Sequence, residues 1–281
     1  MLGTFDYARP QSIEEACRLH ADAADASILA GGTDLLVEIR NHIRSPNLLI
    51  DIKGIGGLDR LETDGVEWRI GASVPLNRIA ENQAVRGSLP ALADAALSIG
   101  TYQLRSRATL AGNLCNASPA ADAAPVLLTL GAAVSIDGPD GRRRATLGEL
   151  FTGVKRTSLG PGEIVTTILI PAPAPDLQSA FIKQQRIKGH DLAVINVAGA
   201  YDPDEKRLRI AIGSCAPTPV LLEPIDATAS PASIADQVVE AAEAATSPIS
   251  DVRASADYRR AVLPVLLRRL VARLLDEGGG A

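Results

Sequence analysis

Apolar positions along the chain fall into short runs of two periods, broken by Gly, Pro and Asp. Ser12 followed by Glu15 marks the start of a helix with a capping-box pattern. The apolar run 27–30 reads as a strand, Gly31-Gly32 breaks it, and helical spacing resumes over 35–43. Residues 48–52 and 68–72 read as buried strands, and 75–83 and 89–99 as helices with Pro in the first turn. The stretch 109–119 reads as irregular and rich in small residues, and 122–130 as a helix ended by Gly131. A Gly/Pro/Asp turn between 133–136 and 143–146 predicts a hairpin, and 163–170 reads as a strand.

The segment Pro171-Ala172-Pro173-Ala174-Pro175 predicts a stiff extended linker. Beyond it, three strands (179–185, 193–201, 207–214) precede two helices (231–245, 255–275). Strands followed by helices give an α+β layer pattern. The expected division is 1–172, itself in subdomains of about 1–58 and 59–172 meeting near Leu58, and 176–281. The final Gly278-Gly279-Gly280-Ala281 reads as a frayed tail.

Composition narrows the function. The 281 residues are 46% hydrophobic but only 3% aromatic, so the core must come from Ala, Val, Leu and Ile. A net charge of -5 repels phosphate backbones and argues against a nucleic-acid partner. No apolar run reaches the ~20 residues of a membrane span. The N-terminus shows neither a basic n-region nor an apolar h-region, so a cytoplasmic protein is expected. Cys17, Cys115 and Cys215 are too scattered for a disulfide framework or a cluster motif, and no metal ligand set is read.

Two segments carry candidate chemistry. Leu29-Ala30-Gly31-Gly32-Thr33-Asp34-Leu35-Leu36 joins a strand to a helix through two glycines. Glycine admits positive φ and close approach of a ligand to the main chain, and free N–H groups at a helix start favour an anion. A ligand-free tight turn is the alternative. No G-x-G-x-x-G and no P-loop lysine is present, and the Asp34 carboxylate is expected to cap backbone N–H groups instead of meeting phosphates. The second segment, Thr109-Leu110-Ala111-Gly112-Asn113, runs through small residues to Asp122. Thr and Asn supply donors and acceptors, and Asp122 could accept from sugar-like hydroxyls. The alternative is a surface loop with Asp122 as helix cap.

The two segments together resemble the flavin-binding fold of vanillyl-alcohol oxidase and p-cresol methylhydroxylase. The whole chain resembles the FAD-binding medium subunit of the xanthine dehydrogenase and carbon monoxide dehydrogenase family of molybdenum hydroxylases. The resemblance extends through Phe5-Asp6-Tyr7, Ile50-Asp51-Ile52, Ile70-Gly71-Ala72, Gln103-Leu104-Arg105, Glu163-Ile164-Val165, Phe181-Ile182-Lys183 and 250–260. It implies FAD, with 29–36 wrapping the diphosphate and Thr109 to Asn113 making the second contact. Asp122 would bind FAD hydroxyls, Ile99 and Gly100 would line the site, and Val165 would lie near the adenine end. Lys183 would approach the flavin, and Leu192 would cover one face of the isoalloxazine. Ala111 stands where the family usually has glycine, and Leu192 where some relatives have tyrosine.

The resemblance further implies a large subunit with the molybdenum cofactor, a small subunit with two [2Fe-2S] clusters, and a doubled heterotrimer. This chain would be the electron-transferring oxidoreductase component, with no catalytic residue of its own. A stand-alone FAD-dependent oxidoreductase is the alternative, and a flavin-free binding module a more distant one. His20, His42, Arg259-Arg260 and Arg268-Arg269 read as solvated helix residues, His190 as solvent-facing, Cys115 as a packing residue and Trp68 as core.

Overall fold

The structure is a computed structural model that describes residues 4–187 and 189–276; the expected frayed tail at 278–281 lies outside them. The chain begins with a β-α-β-α-β unit. Strands β1 (Asp6–Ala8), β2 (Ala26–Leu29) and β3 (Leu48–Asp51) form a parallel sheet in the order β1-β3-β2. Helices α1 (Ile13–Asp22) and α2 (Leu35–Arg40) make the crossovers. Ser12 caps α1 by accepting from the Glu15 N–H, but the Glu15 carboxylate accepts from Gln11 N, one residue before the cap. α2 stops at Arg40, short of the expected 43, and His42 takes a positive φ of 57°.

The second sheet has the order β4-β5-β10-β6-β7. Its strands are β4 (Leu61–Thr63), β5 (Glu67–Gly71), β6 (Ala133–Gly138), β7 (Gly141–Thr146) and β10 (Ile164–Pro171). A small hairpin, β8 (Phe151–Gly153) and β9 (Arg156–Thr157), precedes β10. Seven short helices complete this half: α3 (Leu76–Glu81), α4 (Gln83–Ser88), α5 (Pro90–Ser98), α6 (Tyr102–Arg105), α7 (Leu110–Cys115), α8 (Ala123–Thr129) and α9 (Leu147–Leu150). Four of them, α4, α6, α7 and α9, are additions to the sequence reading. In 110–115, Gly112 and Asn113 weaken the helical signal. The Thr109 hydroxyl supplies the missing start by accepting from Gly112 N, and Leu110 and Leu114 are fully buried.

The proline segment is tied down at its start. Pro171 pairs with Glu67 at the end of β10, and the Ala172 N–H donates to Val66 O. After it come β11 (Gln178–Gln184), β12 (Ile195–Asp202) and β13 (Arg207–Gly213), antiparallel neighbours in that order. The expected three-stranded sheet gains two strands, β14 (Val220–Leu221) and β15 (Ile225–Asp226), both paired to β13. Two-residue strands have no period to read, so their pairing exists only because β13 offers a free edge. Helices α10 (Pro231–Ala245) and α11 (Ala256–Asp276) cover this sheet.

Two apolar clusters result, one spanning both N-terminal sheets and a second formed by the third sheet, α10 and α11. As the composition requires, both consist almost entirely of Ala, Val, Leu and Ile, with Trp68 buried in the first. Arg259 corrects the expectation of a solvated helix face. Its side chain is 1% exposed and donates to Val194 O and to Asp251 Oδ1, tying α11 to the start of β12. Arg260 and Arg268 do pair on the surface, with Asp257 and Asp236. His20 is half-buried, and desolvation lowers its pKa.

Candidate functional site

The first glycine loop starts where β2 ends, Leu29 pairing in parallel register with Asp51. Gly31 packs against the chain just before α7. A Cβ there would stand 2.3 Å from the Arg107 carbonyl oxygen and 2.8 Å from Ala108 Cα. Gly32 has φ +75°, where a side chain is strained, and its Cβ would meet Leu29 Cδ1 at 2.8 Å. Gly32 O accepts from Leu36 N and Asp34 O from Glu38 N, so the loop passes directly into α2. The expected Asp34 cap is not made. Asp34 already has helical angles (φ −94°, ψ −50°), which turn its carboxylate away from the first-turn N–H groups.

The second loop is reached from the first through residues 107 and 108, on which Gly31 packs. Leu76 N donates to Ala108 O, and Thr109 bridges to Pro75. Ala111 lies inside α7, 4% exposed, at an ordinary helical φ, so the family's glycine is not required there. The Asn113 Oδ1 atom is buried with no hydrogen-bond partner among the described residues. Lys155 Nζ donates to Asn116 Oδ1 at 2.6 Å and lies 3.4 Å from Glu38, joining α7 to α2.

Asp122 is buried, and although it stands at the N-cap position of α8 its side chain makes no capping hydrogen bond. Its side chain and that of Lys183 are 6% and 7% exposed, and they pair at 2.7 Å. Lys183 Nζ also donates to Ser98 O at 3.0 Å, and Asn196 Nδ2 donates to Asp122 Oδ1 at 2.9 Å. Burial pushes the Asp122 carboxyl above the ordinary carboxylate range, against the opposing pull of Lys183 and Asn196. A charge so deeply placed persists only when paired and hydrogen-bonded. The pair joins α8 to β11, and through Ser98 it reaches the α5 terminus that carries Ile99 and Gly100.

Beside this pair opens a cavity of about 410 Å³, lined by Leu97, Ser98, Gly100, Thr101, Tyr102, Arg105, Lys183, Gln185, Gly189 and His190. The structure therefore brings together Gly100, Lys183 and, behind them, Ile99 and Asp122. It also brings Gly31 to the segment leading into Thr109, Leu110, Gly112 and Asn113. Val165 is buried (3% exposed) on β10, against which α7 packs. Leu192 stands apart. It is 60% exposed, on a loop closed by the Arg186–Asp191 pair, and its neighbours Gly189 and His190 line the cavity instead.

The sequence assigns no individual role to Arg105 or Asn196, two polar side chains that organise this region. Asn196 is a lone amide in the apolar run 193–200, a signal that could have marked it. Burial pushes the Cys115 thiol up to about 12, which disfavours the thiolate and suits a packing residue. Among the described residues no group of three or more His, Cys, Asp or Glu side chains is placed to hold a metal ion.

These features fit a flavin dinucleotide. The chain has a left-handed glycine turn between β2 and α2, an unpartnered buried amide oxygen at Asn113, and a cavity beside a buried carboxylate–ammonium pair.

Residues 3–173 match the family model described as the FAD binding domain in molybdopterin dehydrogenase, and 180–274 that of the CO dehydrogenase flavoprotein C-terminal domain. The chain is 32% identical to the carbon monoxide dehydrogenase medium chain of Afipia carboxidovorans, covering 96% of each. It is 31% identical to the xanthine dehydrogenase FAD-binding subunit of Escherichia coli O157:H7, covering 98% of this chain and 99% of that one. In structure it superposes on carbon monoxide dehydrogenase from Hydrogenophaga pseudoflava with a TM-score of 0.94, at 29% identity over 98% of this chain and 99% of that one. With an α+β fold, two interlocked loops and a match along its length, this chain belongs to the family of FAD-binding subunits of molybdopterin dehydrogenases.

Proposed function

We propose that this chain is the FAD-carrying electron-transfer subunit of a heterotrimeric molybdenum hydroxylase. A large subunit would hold the molybdenum cofactor and hydroxylate substrate, and a small subunit would carry two [2Fe-2S] clusters. FAD held by this chain would supply the redox chemistry that links the clusters' one-electron transfer to an external acceptor. The protein's part is to hold and orient it.

Residues 1–172 would bind the cofactor in two subdomains of about 1–58 and 59–172, and 176–281 would close over it. The Leu29–Leu36 loop would receive the diphosphate on its main chain, with Gly31 packed on residues 107–108 and Gly32 in the left-handed turn that sets the loop's path. Thr109 to Asn113 would form the second contact, with the Asn113 amide oxygen free to accept a hydrogen bond. Asp122, in place through Lys183 and Asn196, would accept from hydroxyls. Lys183 would set a positive charge beside the ring, with Ile99, Gly100, Val165 and Leu192 as apolar or main-chain walls. The complex would be a doubled heterotrimer in the cytoplasm; among the described residues no helix is long and apolar enough to cross a membrane.

What supports this reading most is that nearly the full length matches the medium or FAD-binding subunits of carbon monoxide and xanthine dehydrogenases. To test it, the protein is purified alone and with its partners, and substrate-dependent dye reduction is assayed with aldehydes, N-heterocycles and carbon monoxide. Turnover is expected only from the complex, with iron and molybdenum on the other chains. Turnover by the lone chain at the complex's rate would establish a stand-alone oxidoreductase instead.

A further inference from the structure

The motif Gln103-Leu104-Arg105 has no part in the reading above, yet Arg105 is the most heavily bonded side chain around the cavity. Its Nη1 donates to three main-chain carbonyls, Leu97 O (3.0 Å), Ile99 O (3.2 Å) and Gly100 O (3.1 Å). Its Nε donates to Asn77 Oδ1 at 3.0 Å, and the Asn77 amide in turn donates to Tyr102 O and Ser106 Oγ. The three carbonyls belong to the end of α5, where a helix has no main-chain donors left.

The same turn is unusual in its backbone. Gly100 has φ +56°, and a Cβ there would meet the Leu104 side chain at 2.8 Å. α6 thus holds the turn from two sides, with Leu104 packed against Gly100 and Arg105 bonded across the carbonyls. Within this turn Ser98 O accepts from Lys183 Nζ.

We propose that Arg105 is a positioning residue for the flavin end of the site: it fixes the 97–100 turn, and through Ser98 O the place of the Lys183 ammonium. This rests on the FAD-binding reading above. A guanidinium suits the task because its fork reaches Asn77 and the carbonyls at once, which a lysine ammonium cannot do. A cation held beside a flavin favours the reduced, more negative state, so displacement of Lys183 should lower the flavin midpoint potential.

The test is a cycle in the assembled complex, reading flavin midpoint potential and the visible circular dichroism of bound FAD. Arg105→Lys keeps the charge and loses the fork; Arg105→Met loses both. Both should lower the potential and change the flavin dichroism, and neither should lower the potential further in a Lys183→Met background. Arg105→Lys with wild-type potential and dichroism would overturn the proposal. So would an Arg105→Met shift of equal size with and without Lys183, because it would mark a direct charge effect. A helix cap serving stability alone would lower the melting temperature and leave potential and dichroism unmoved. Wild-type complex without FAD would instead overturn the cofactor reading itself.

Discussion

The loop at 29–36 packs on residues 107–108, which lead into the loop at 109–122, and the two loops are held in different ways. The first is a main-chain device. Gly31 has a carbonyl oxygen where its Cβ would be, Gly32 has a left-handed φ, and Asp34 contributes no cap. The second is held by side chains: the Thr109 cap, the buried Leu110 and Leu114, and the Asp122–Lys183 pair. Its glycine is the less demanding one, since Gly112 has an ordinary φ and its Cβ would meet only Thr109 Oγ1, at 3.1 Å. Two glycine-containing segments of similar appearance thus depend on different physics, and substitutions should separate them.

The largest effect is expected at Lys183. Lys183→Met strands a buried carboxylate, and breaking such a pair costs about 3–5 kcal/mol. The cost is pH-dependent. Burial already raises the Asp122 carboxyl, and removing the lysine raises it further. A group whose folded pKa is raised gives stability below its unfolded value and loses it as pH rises through the folded value. Denaturant titrations of the variant should therefore show its deficit growing as pH rises above the ordinary carboxylate range and levelling once the raised folded value is passed. A deficit that is flat with pH would break the claim that Asp122 is the stranded partner.

Next is Gly31→Ala, where one methyl must displace main chain. Overpacking of this kind costs about 1–3 kcal/mol, and FAD retention should fall at least tenfold because the two loops are pushed apart. Thr109→Ala should cost about 1 kcal/mol, the usual worth of a helix cap, read as a lower melting temperature, with a smaller loss of FAD than at Gly31 because the second contact loosens without being displaced. Smallest is Gly112→Ala. The helix gains roughly 0.5–1 kcal/mol from alanine, set against the close contact with Thr109, so the melting temperature should barely move. A loss at Gly112 equal to that at Gly31 would erase the distinction between the loops.

The same difference explains what was legible in the sequence. A main-chain requirement is local, so Gly31-Gly32 announced a break and a close approach without any partner in view. Long periodic elements were also legible: α10 falls on the expected 231–245, and β11, β12 and β13 lie within two residues of their predicted bounds. Partners distant in sequence were not. Asp122 and Lys183 are 61 residues apart, and nothing around Asp122 distinguishes a buried ion pair from a surface cap. Arg259, 65 residues from Val194, reads as one more charge on a basic helix until the fold buries it. α7 was hidden by its own weak propensity and exists through its cap and packing.

The central claim is that the interlocked loops hold FAD. Its most direct test is the flavin-to-protein ratio of the purified complex, wild type against Gly31→Ala, with subunit content measured in the same samples. The account predicts one releasable FAD per wild-type chain, and a Gly31→Ala complex that keeps its partner subunits but has lost most of its flavin. Wild-type complex without flavin, or an assembled Gly31→Ala complex with its full FAD, would contradict it.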